Sequence, residues 1–423
     1  METNRRHFLK TSGLVAGAAA VLSVSRSAYA EGSEKIKAVL IGCGGRGKGA
    51  AHDFLDNENT EIVAVADAFE DNARQAAEEF KVPEDRCFWG FDAYQKALAV
   101  DSCYAILATP PGFRPIHLNA AIKAGKNVFM EKPCCVDAPG FRLLCETAKL
   151  ADEKNLKIGV GLQRHHQVGY LDGMKDILAG KYGDIQYARV YWNGGGVWVR
   201  ERKPEWTEME FQMRNWYYFN WLCGDHVCEQ HVHNLDVGNW VMTATTEGCD
   251  FFEKYAHPVK VNCMGGREVR KNNPNYGEIY DHFFAELTYA DGRQVFSQCR
   301  HQPNTWSAVT EYVHGTKGSG TVCGRDKGRG PYQQEHTDLI NAIKNNERYN
   351  EAWMGAYSSM TAVLIRDAAY SGLELTWDDA VNKGRTLMIY EGHDQLTMQS
   401  EPPVKPQEAG QDAFAGPGVW KPW

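Results

Sequence analysis

The chain has 423 residues, of which 43% are hydrophobic and 24% charged, and it carries a formal net charge of -8. That length and composition can bury an ample core in two or three domains, and they exclude a disordered or fibrous protein. An acidic chain without a Lys/Arg stripe interleaved with aromatics is a poor nucleic-acid binder, so that class of partner is set aside.

The first thirty residues have the pattern of a targeting segment. Asn4-Arg5-Arg6-His7-Phe8-Leu9-Lys10 precedes a small-residue apolar run, LVAGAAAVLSV, and then Ala28-Tyr29-Ala30, an A-x-A cleavage pattern. This is the layout of a twin-arginine export signal over residues 1–30, and it predicts a periplasmic protein exported in the folded state. The apolar run is too short to remain as a membrane span, and no later segment approaches twenty apolar residues. Loss of Arg5, Arg6, Lys10 and Arg26 against Glu2 leaves the mature chain more acidic still. All twelve cysteines lie beyond the signal. They are scattered and too few for a disulfide scaffold at this length, though an oxidising compartment admits one or two bridges. A bridge between the adjacent Cys134 and Cys135 is disfavoured by geometry.

Next comes IKAVLIGCGGRG, a β-branched and aliphatic run leading into Gly42-x-Gly44-x-x-Gly47, followed by helical spacing through AAHDFL. A second apolar strand, EIVAVADA, ends with Asp67, twenty residues after Gly47. Strand, glycine turn, helix and strand-end acid at this spacing form a dinucleotide fingerprint. Gly42 permits the tight turn, Gly44 lets the backbone approach a pyrophosphate, and Gly47 lets the helix sit against the sheet with its N-terminus facing the anion. Asp67 is placed to accept from the adenosine ribose. With Ala68 following and no Lys or Arg adjacent, the pocket favours NAD over NADP, since a 2'-phosphate would meet a carboxylate and no cation. DSCYAILATPP, PIHLNAAIKAG and NVFMEKP continue the rhythm as strand, helix and strand, which predicts a doubly wound parallel sheet. Thr109, Pro110 and the pair Glu131-Lys132 fall at carboxyl ends of strands, where ligands sit in such sheets.

Beyond the strand KIGVGLQ come Arg164, His165 and His166, at the start of a second domain and facing the cleft. The segment VWVRERKPEWTEMEFQMRNWYYFNWLCGD is rich in Trp, Tyr and Arg, side chains suited to sugar faces and equally to core or interface. Residues 224–236 read GDHVCEQHVHNLD. As one helix, this stretch would put His226, Glu229, His233, Asp236 and Trp240 on one stripe, with Cys228 and His231 turned away. Such a face suits zinc, and it equally suits a general base with an acid partner. The spacing is not H-E-x-x-H, and no distant CxxC or HxxxH completes a shell. The Pro/Gly-rich end of the chain reads as an extended arm.

GCGGRG, ATPPGFRPIHLNAAIKAGKNVFMEKP, GLQRHH and EQHVHNLD, in this order, resemble the Gfo/Idh/MocA oxidoreductases. VHGTKGSG, QEHTDLINAIKNNERYNEA and AAYSGLELTWDDA extend the likeness over roughly 36–395, especially to the family's exported branch. The resemblance implies an α/β protein: a Rossmann domain over 35–155, an α/β domain with an open, mostly antiparallel sheet over 156–395, and the arm over 396–423. It implies a homo-oligomer, dimer or tetramer. It implies NAD held by Gly42, Gly44, Gly45, Arg46, Gly47, Asp67, Thr109, Pro110, His117, Glu131, Lys132 and Gln163. It implies catalysis by Lys132, Glu229 and His233, no metal, and substrate contacts from Arg164, His165, Trp221 and His231. Family members commonly have Asp where this chain has Glu229, so the longer acid either touches substrate or only orients His233.

The residue types fit alcohol oxidation. A histidine takes the hydroxyl proton, a lysine stabilises the developing alkoxide, and NAD accepts the hydride. The expected substrate is a sugar or polyol, with NAD kept bound through the cycle. A redox-neutral, NAD-dependent glycosidase needs the same Lys132 and His233 and is the alternative enzyme. A sugar-binding protein with a vestigial nucleotide pocket is the non-enzymatic one.

Overall fold

Ile36–Ile41 (β1), Thr60–Asp67 (β2), Cys87–Trp89 (β3), Tyr104–Leu107 (β4), Asn127–Met130 (β5) and Ile158–Val160 (β6) pair in parallel in the order β3-β2-β1-β4-β5-β6. Their near-continuous apolar runs follow from burial on both faces, where alternation would leave polar side chains inside. The computed structural model describes residues 35–271, 273–324, 328–405 and 416–423. The export signal lies outside the described residues, as does part of the arm. Helices Gly45–Leu55 (α1), Glu70–Phe80 (α2), Ala93–Leu98 (α3), Arg114–Lys123 (α4) and Ala138–Glu153 (α5) connect the strands. Strand order reverses between β1 and β4, so their carboxyl ends open a crevice there.

Val168–Leu178 (α6) leads into the second sheet, whose strands are Ile185–Gly194 (β7), Pro258–Gly266 (β8), His282–Tyr289 (β9), Gln294–His301 (β10), Ala308–Gly315 (β11), Gly318–Thr321 (β12) and Leu375–Thr376 (β13). Their order is β12-β11-β7-β10-β9-β8-β13, antiparallel except for the parallel pair β7 and β10. In β9 and β10 buried and more exposed side chains alternate, which gives one covered and one open face. Between β7 and β8 lie Glu208–Arg214 (α7), Asn220–Cys223 (α8), His226–Glu229 (α9) and Val232–Thr245 (α10).

Pro331–Lys344 (α11) returns to the first sheet, where Leu339 and Ile340 pack with Ile36, Leu40 and Phe129. Ala352–Ser371 (α12) is buried along almost its whole length and touches α5, α10 and β8, as expected of a helix apolar all round. Trp377–Lys383 (α13) follows β13. The described parts of the arm fold back on the body: Gly418 N–H donates to Ser371 O at 2.9 Å, and Trp420 sits edge-on to Tyr370. All twelve cysteines are free thiols. Among the described residues no helix is long and apolar enough to cross a membrane.

Candidate active site

The crevice at the reversal point is a cleft of about 1110 Å³. Gly42, Gly44, Gly45, Arg46, Gly47, Asp67, Thr109, Pro110 and His117 all line it. Gly42 has φ +98, and a Cβ there would lie 2.5 Å from the backbone of Ala108 and Thr109. At Gly47 a Cβ would come within 1.8 Å of Gly42 O, so this turn closes only with glycine at both places. A Cβ on Gly44 or Gly45 would meet nothing within 4 Å, because both point into the cleft at the start of α1. An open cradle of backbone at a helix N-terminus fits a pyrophosphate. Asp67 accepts from Cys43 N–H (2.7 Å), Phe69 N–H (2.9 Å) and Asn72 Nδ2 (3.3 Å), so it fixes the glycine loop while bordering the cleft. Burial raises its pKa against these bonds. His117 bonds Thr109 Oγ1 at 3.0 Å, and burial holds it down at about 3, a neutral ring.

The opposite wall comes from beyond β7 and includes Trp198, Arg200, Lys203, Trp206, Arg214 and Trp216. Arg214 ties this wall to α2, pairing with Asp71 at 3.2 Å and lying 4.0 Å over the Phe69 ring.

A second cavity of about 320 Å³ shares Arg46, Ala108, Thr109 and Trp216 with the cleft. Lys132, Glu229 and His233 meet there, alongside Glu131, Gly161, Trp192, Gln230 and Tyr332. Lys132 Nζ donates to Glu229 Oε1 at 2.9 Å and to Glu229 O at 2.5 Å, and the two side chains are only 15% and 14% exposed. No hydrogen bond joins Glu229 to His233 among the described residues, so the carboxylate holds the lysine rather than the histidine. Burial first, then the charges of Lys132, Arg164 and Arg46, push His233 well below its ordinary range, so the ring is neutral. Its Nδ1 is buried without a partner among the described residues, which leaves Nε2 as the accessible nitrogen.

Arg46 links the two spaces. It reaches Glu131 (2.5 Å), Asp53 (3.2 Å) and Glu335 of α11 (3.3 Å), and it lies over the Tyr332 ring. Burial disfavours its charge, but Glu131, Glu335 and Asp53 outweigh burial and hold it protonated.

Residues 36–162 match the model of the oxidoreductase family with an NAD-binding Rossmann fold, and residues 2–23 match a twin-arginine translocation signal. Over this Rossmann part the chain is similar to the Gfo/Idh/MocA oxidoreductases. It is 25% identical over 281 residues to an inositol 2-dehydrogenase of Rhizobium meliloti, covering 66% of this chain and 73% of that one. It is 36% identical over 183 residues to another from Gluconacetobacter diazotrophicus, covering 43% and 46%. Its fold resembles that of a scyllo-inositol dehydrogenase from Lactobacillus casei, solved with bound NAD(H) and scyllo-inositol, with TM-score 0.63, 18% identity and coverage of 82% and 100%. An aldose-aldose oxidoreductase from Caulobacter crescentus, complexed with glycerol, has TM-score 0.62, 15% identity and coverage of 81% and 100%.

The single-helix reading of 224–236 needs correcting. The chain breaks at Gln230 and His231, between α9 and α10, so the expected stripe does not form. His226 turns inward to Asp225 Oδ1 (2.8 Å) and packs on His301. Asp236 bonds His165 Nε2 at 2.7 Å and Ser358 at 2.8 Å. With these groups dispersed, no three His, Cys, Asp or Glu converge on a metal position among the described residues.

The four expected substrate contacts lie outside the lining of both cavities. Arg164 is paired with Glu311 in the interior. His165 is held by Asp236 and stacked on Trp240, and Trp221 is buried with Nε1 donating to Gln212. His231 is fully buried on Ser297 Oγ. Each has an internal partner strong enough to keep it inside. Gln163 lines neither space, and its Oε1 is buried without a partner among the described residues. Trp192, Gln230 and Tyr332 were not legible as cavity residues. For Trp192 a signal existed: it shares the covered face of β7 with Ala188 and Val190.

Proposed function

We propose that the protein oxidises a secondary hydroxyl of a cyclitol or sugar, with Lys132, Glu229 and His233 as its acid–base end. The observation that carries this reading is their meeting in a cavity that shares a wall with the glycine-loop cleft. NAD on Gly42, Gly44, Gly45 and Gly47 supplies a hydride acceptor when bound. His233, kept neutral by burial, takes the hydroxyl proton through Nε2. Lys132 stabilises the alkoxide, and Glu229 keeps the ammonium aimed at it. The names of the inositol dehydrogenases above support a polyhydroxylated substrate, and a cavity of about 320 Å³ is of the order of small-ligand pockets, roughly 300–1,000 Å³. In this reading 35–155 is the nucleotide domain, 156–395 the substrate domain, and 396–423 the arm.

The export signal supports a periplasmic site of action, where a free NAD pool is not expected. Retained NAD with redox-neutral turnover follows, including the glycosidase route. The open face of the second sheet, with Met264 and Phe284 paired across β8 and β9, supports assembly into a homo-oligomer. The test is to incubate purified protein with inositols, sugars and nitrophenyl glycosides, with and without added NAD, and to measure NAD released on denaturation by mass spectrometry. Near one NAD per chain and many turnovers without added nucleotide are expected. An empty protein that consumes NAD stoichiometrically leaves an ordinary dehydrogenase, and no turnover of any compound refutes the reading.

A further inference from the structure

Gln230 occupies the break between α9 and α10 and borders the cavity beside Lys132, Glu229 and His233. Its orientation is set from behind by a buried relay. Arg270 Nη2 lies 2.9 Å from His301 Nδ1, and both residues are almost fully buried. A guanidinium only donates, so Nδ1 must accept and the imidazole proton sits on Nε2. Burial, then the neighbouring His226 and Arg270, hold this ring far below its ordinary range, in agreement with a neutral tautomer. Nε2–H therefore donates to the atom 2.7 Å away, Gln230 Oε1. With the carbonyl turned inward, the amide NH₂ is the free end. It has no protein partner among the described residues, and it is not among the buried unpartnered atoms either, which leaves it to the cavity.

Arg270 is itself fixed, since its Nη1 donates to Tyr280 O and its backbone N–H to Asp281 Oδ2 at 3.2 Å. Each link thus has one allowed polarity, from guanidinium to imidazole to amide. The cavity rim then offers donors from Lys132 and the Gln230 amide, and acceptors from Glu229 and His233. A vicinal diol matches that set, one hydroxyl for the acid–base pair and its neighbour for the amide.

We propose that Gln230 is a specificity-determining residue whose amide NH₂ donates to a substrate oxygen next to the reacting carbon, with His301 and Arg270 as positioning residues. This rests on the dehydrogenase reading above. The test uses NAD-loaded protein and compares kcat and KM for myo-inositol, scyllo-inositol and glucose with those for their deoxy analogues, in wild type, Gln230→Leu and Gln230→Glu. Melting temperature and retained NAD serve as folding controls. For the favoured polyol, Gln230→Leu is expected to lose about ten-fold in kcat/KM, mostly through KM, as for one neutral hydrogen bond. The deoxy analogue should lose a similar factor in wild type and almost nothing more in Gln230→Leu. Gln230→Glu, which offers an acceptor where a donor is needed, should lose more than Leu. If Gln230→Leu keeps wild-type KM and the same preference for polyol over deoxy analogue, the assignment of Gln230 is overturned while the dehydrogenase reading stands. If wild type turns over no compound, both fall.

Discussion

Replacing Gly45 with Ala separates what the glycine loop does for the fold from what it does for a ligand. Gly45 is the first residue of α1, and a Cβ there meets nothing within 4 Å. In nucleotide-free protein Gly45→Ala should be neutral or stabilising by about 0.5 kcal/mol, the usual helix preference for Ala over Gly. Gly47→Ala puts its Cβ 1.8 Å from Gly42 O, so the backbone must move, at a cost of roughly 3 kcal/mol. The methyl of Gly45→Ala projects where a phosphate would approach the backbone. Loss of one hydrogen bond to a charged group, about 1.5–3 kcal/mol, weakens NAD about ten- to a hundred-fold. At a concentration a hundred times the wild-type Kd, NAD stabilises wild type by about 2.7 kcal/mol, and a hundred-fold weaker variant by only about 0.4 kcal/mol. Denaturant unfolding with and without NAD measures both terms. A Gly45→Ala protein that keeps the full NAD-dependent gain would refute the placement of the ligand on this loop.

Lys132→Met and His233→Ala should each lose several orders of magnitude in turnover while NAD remains bound, as read by steady-state rates and by nucleotide content after denaturation. Glu229→Gln should cost less, about ten-fold in kcat, because Lys132 keeps its bond to Glu229 O; a loss equal to that of Lys132→Met would instead mean that the carboxylate meets the substrate. Between pH 7 and 5 the protein should lose stability. His117 and His231 are held at about 3 by burial, below the roughly 6.5 of the unfolded chain, so their contribution is whole above that value and falls by about 2 kcal/mol each by pH 5. Glu335, whose carboxyl burial and the neighbouring Glu131 push above the ordinary range against the pull of His166 and Arg46, opposes this trend in part. His166, raised to about 10 by Glu351 and Asp338 against its burial, contributes fully below about 6.5 and loses that contribution as pH rises from there through about 10, so between pH 7 and 5 it also opposes the trend, by about 0.8 kcal/mol. A denaturation midpoint that stays level or rises on acidification would contradict the sum.

What the sequence made legible was local. The turn Gly42-x-Gly44-x-x-Gly47, the acid closing the next strand and the Glu131-Lys132 pair each depend on neighbours a few residues away, and all line the cavities. Lys132 and Glu229 were named from family likeness, but their direct pairing needed the fold, since ninety-seven residues separate them. The break at Gln230 was hidden because the helical period continues across it, while His301 and Ser297, from distant β10, capture the side chains of Gln230 and His231. Arg164, His165 and Trp221 lie outside both cavities for a related reason. Their polar atoms suit a ligand, and in the fold Glu311, Asp236 and Gln212 take that place. Glu335 and Tyr332 come from α11, almost three hundred residues beyond Arg46, and no periodicity links them.

The wall formed by Trp198, Arg200, Lys203, Trp206 and Trp216 faces glycines that precede it by some 150 residues. A dinucleotide lying between them touches both sides, so its binding energy is also adhesion between the two halves of the protein. Arg214 with Asp71 and Phe69 already ties this wall to α2, and the cofactor would add further mortar to that joint. Loaded and empty forms would then differ in cohesion as well as in chemistry, and amide exchange in 198–216 would report the occupancy of a pocket whose sequence signature lies wholly elsewhere.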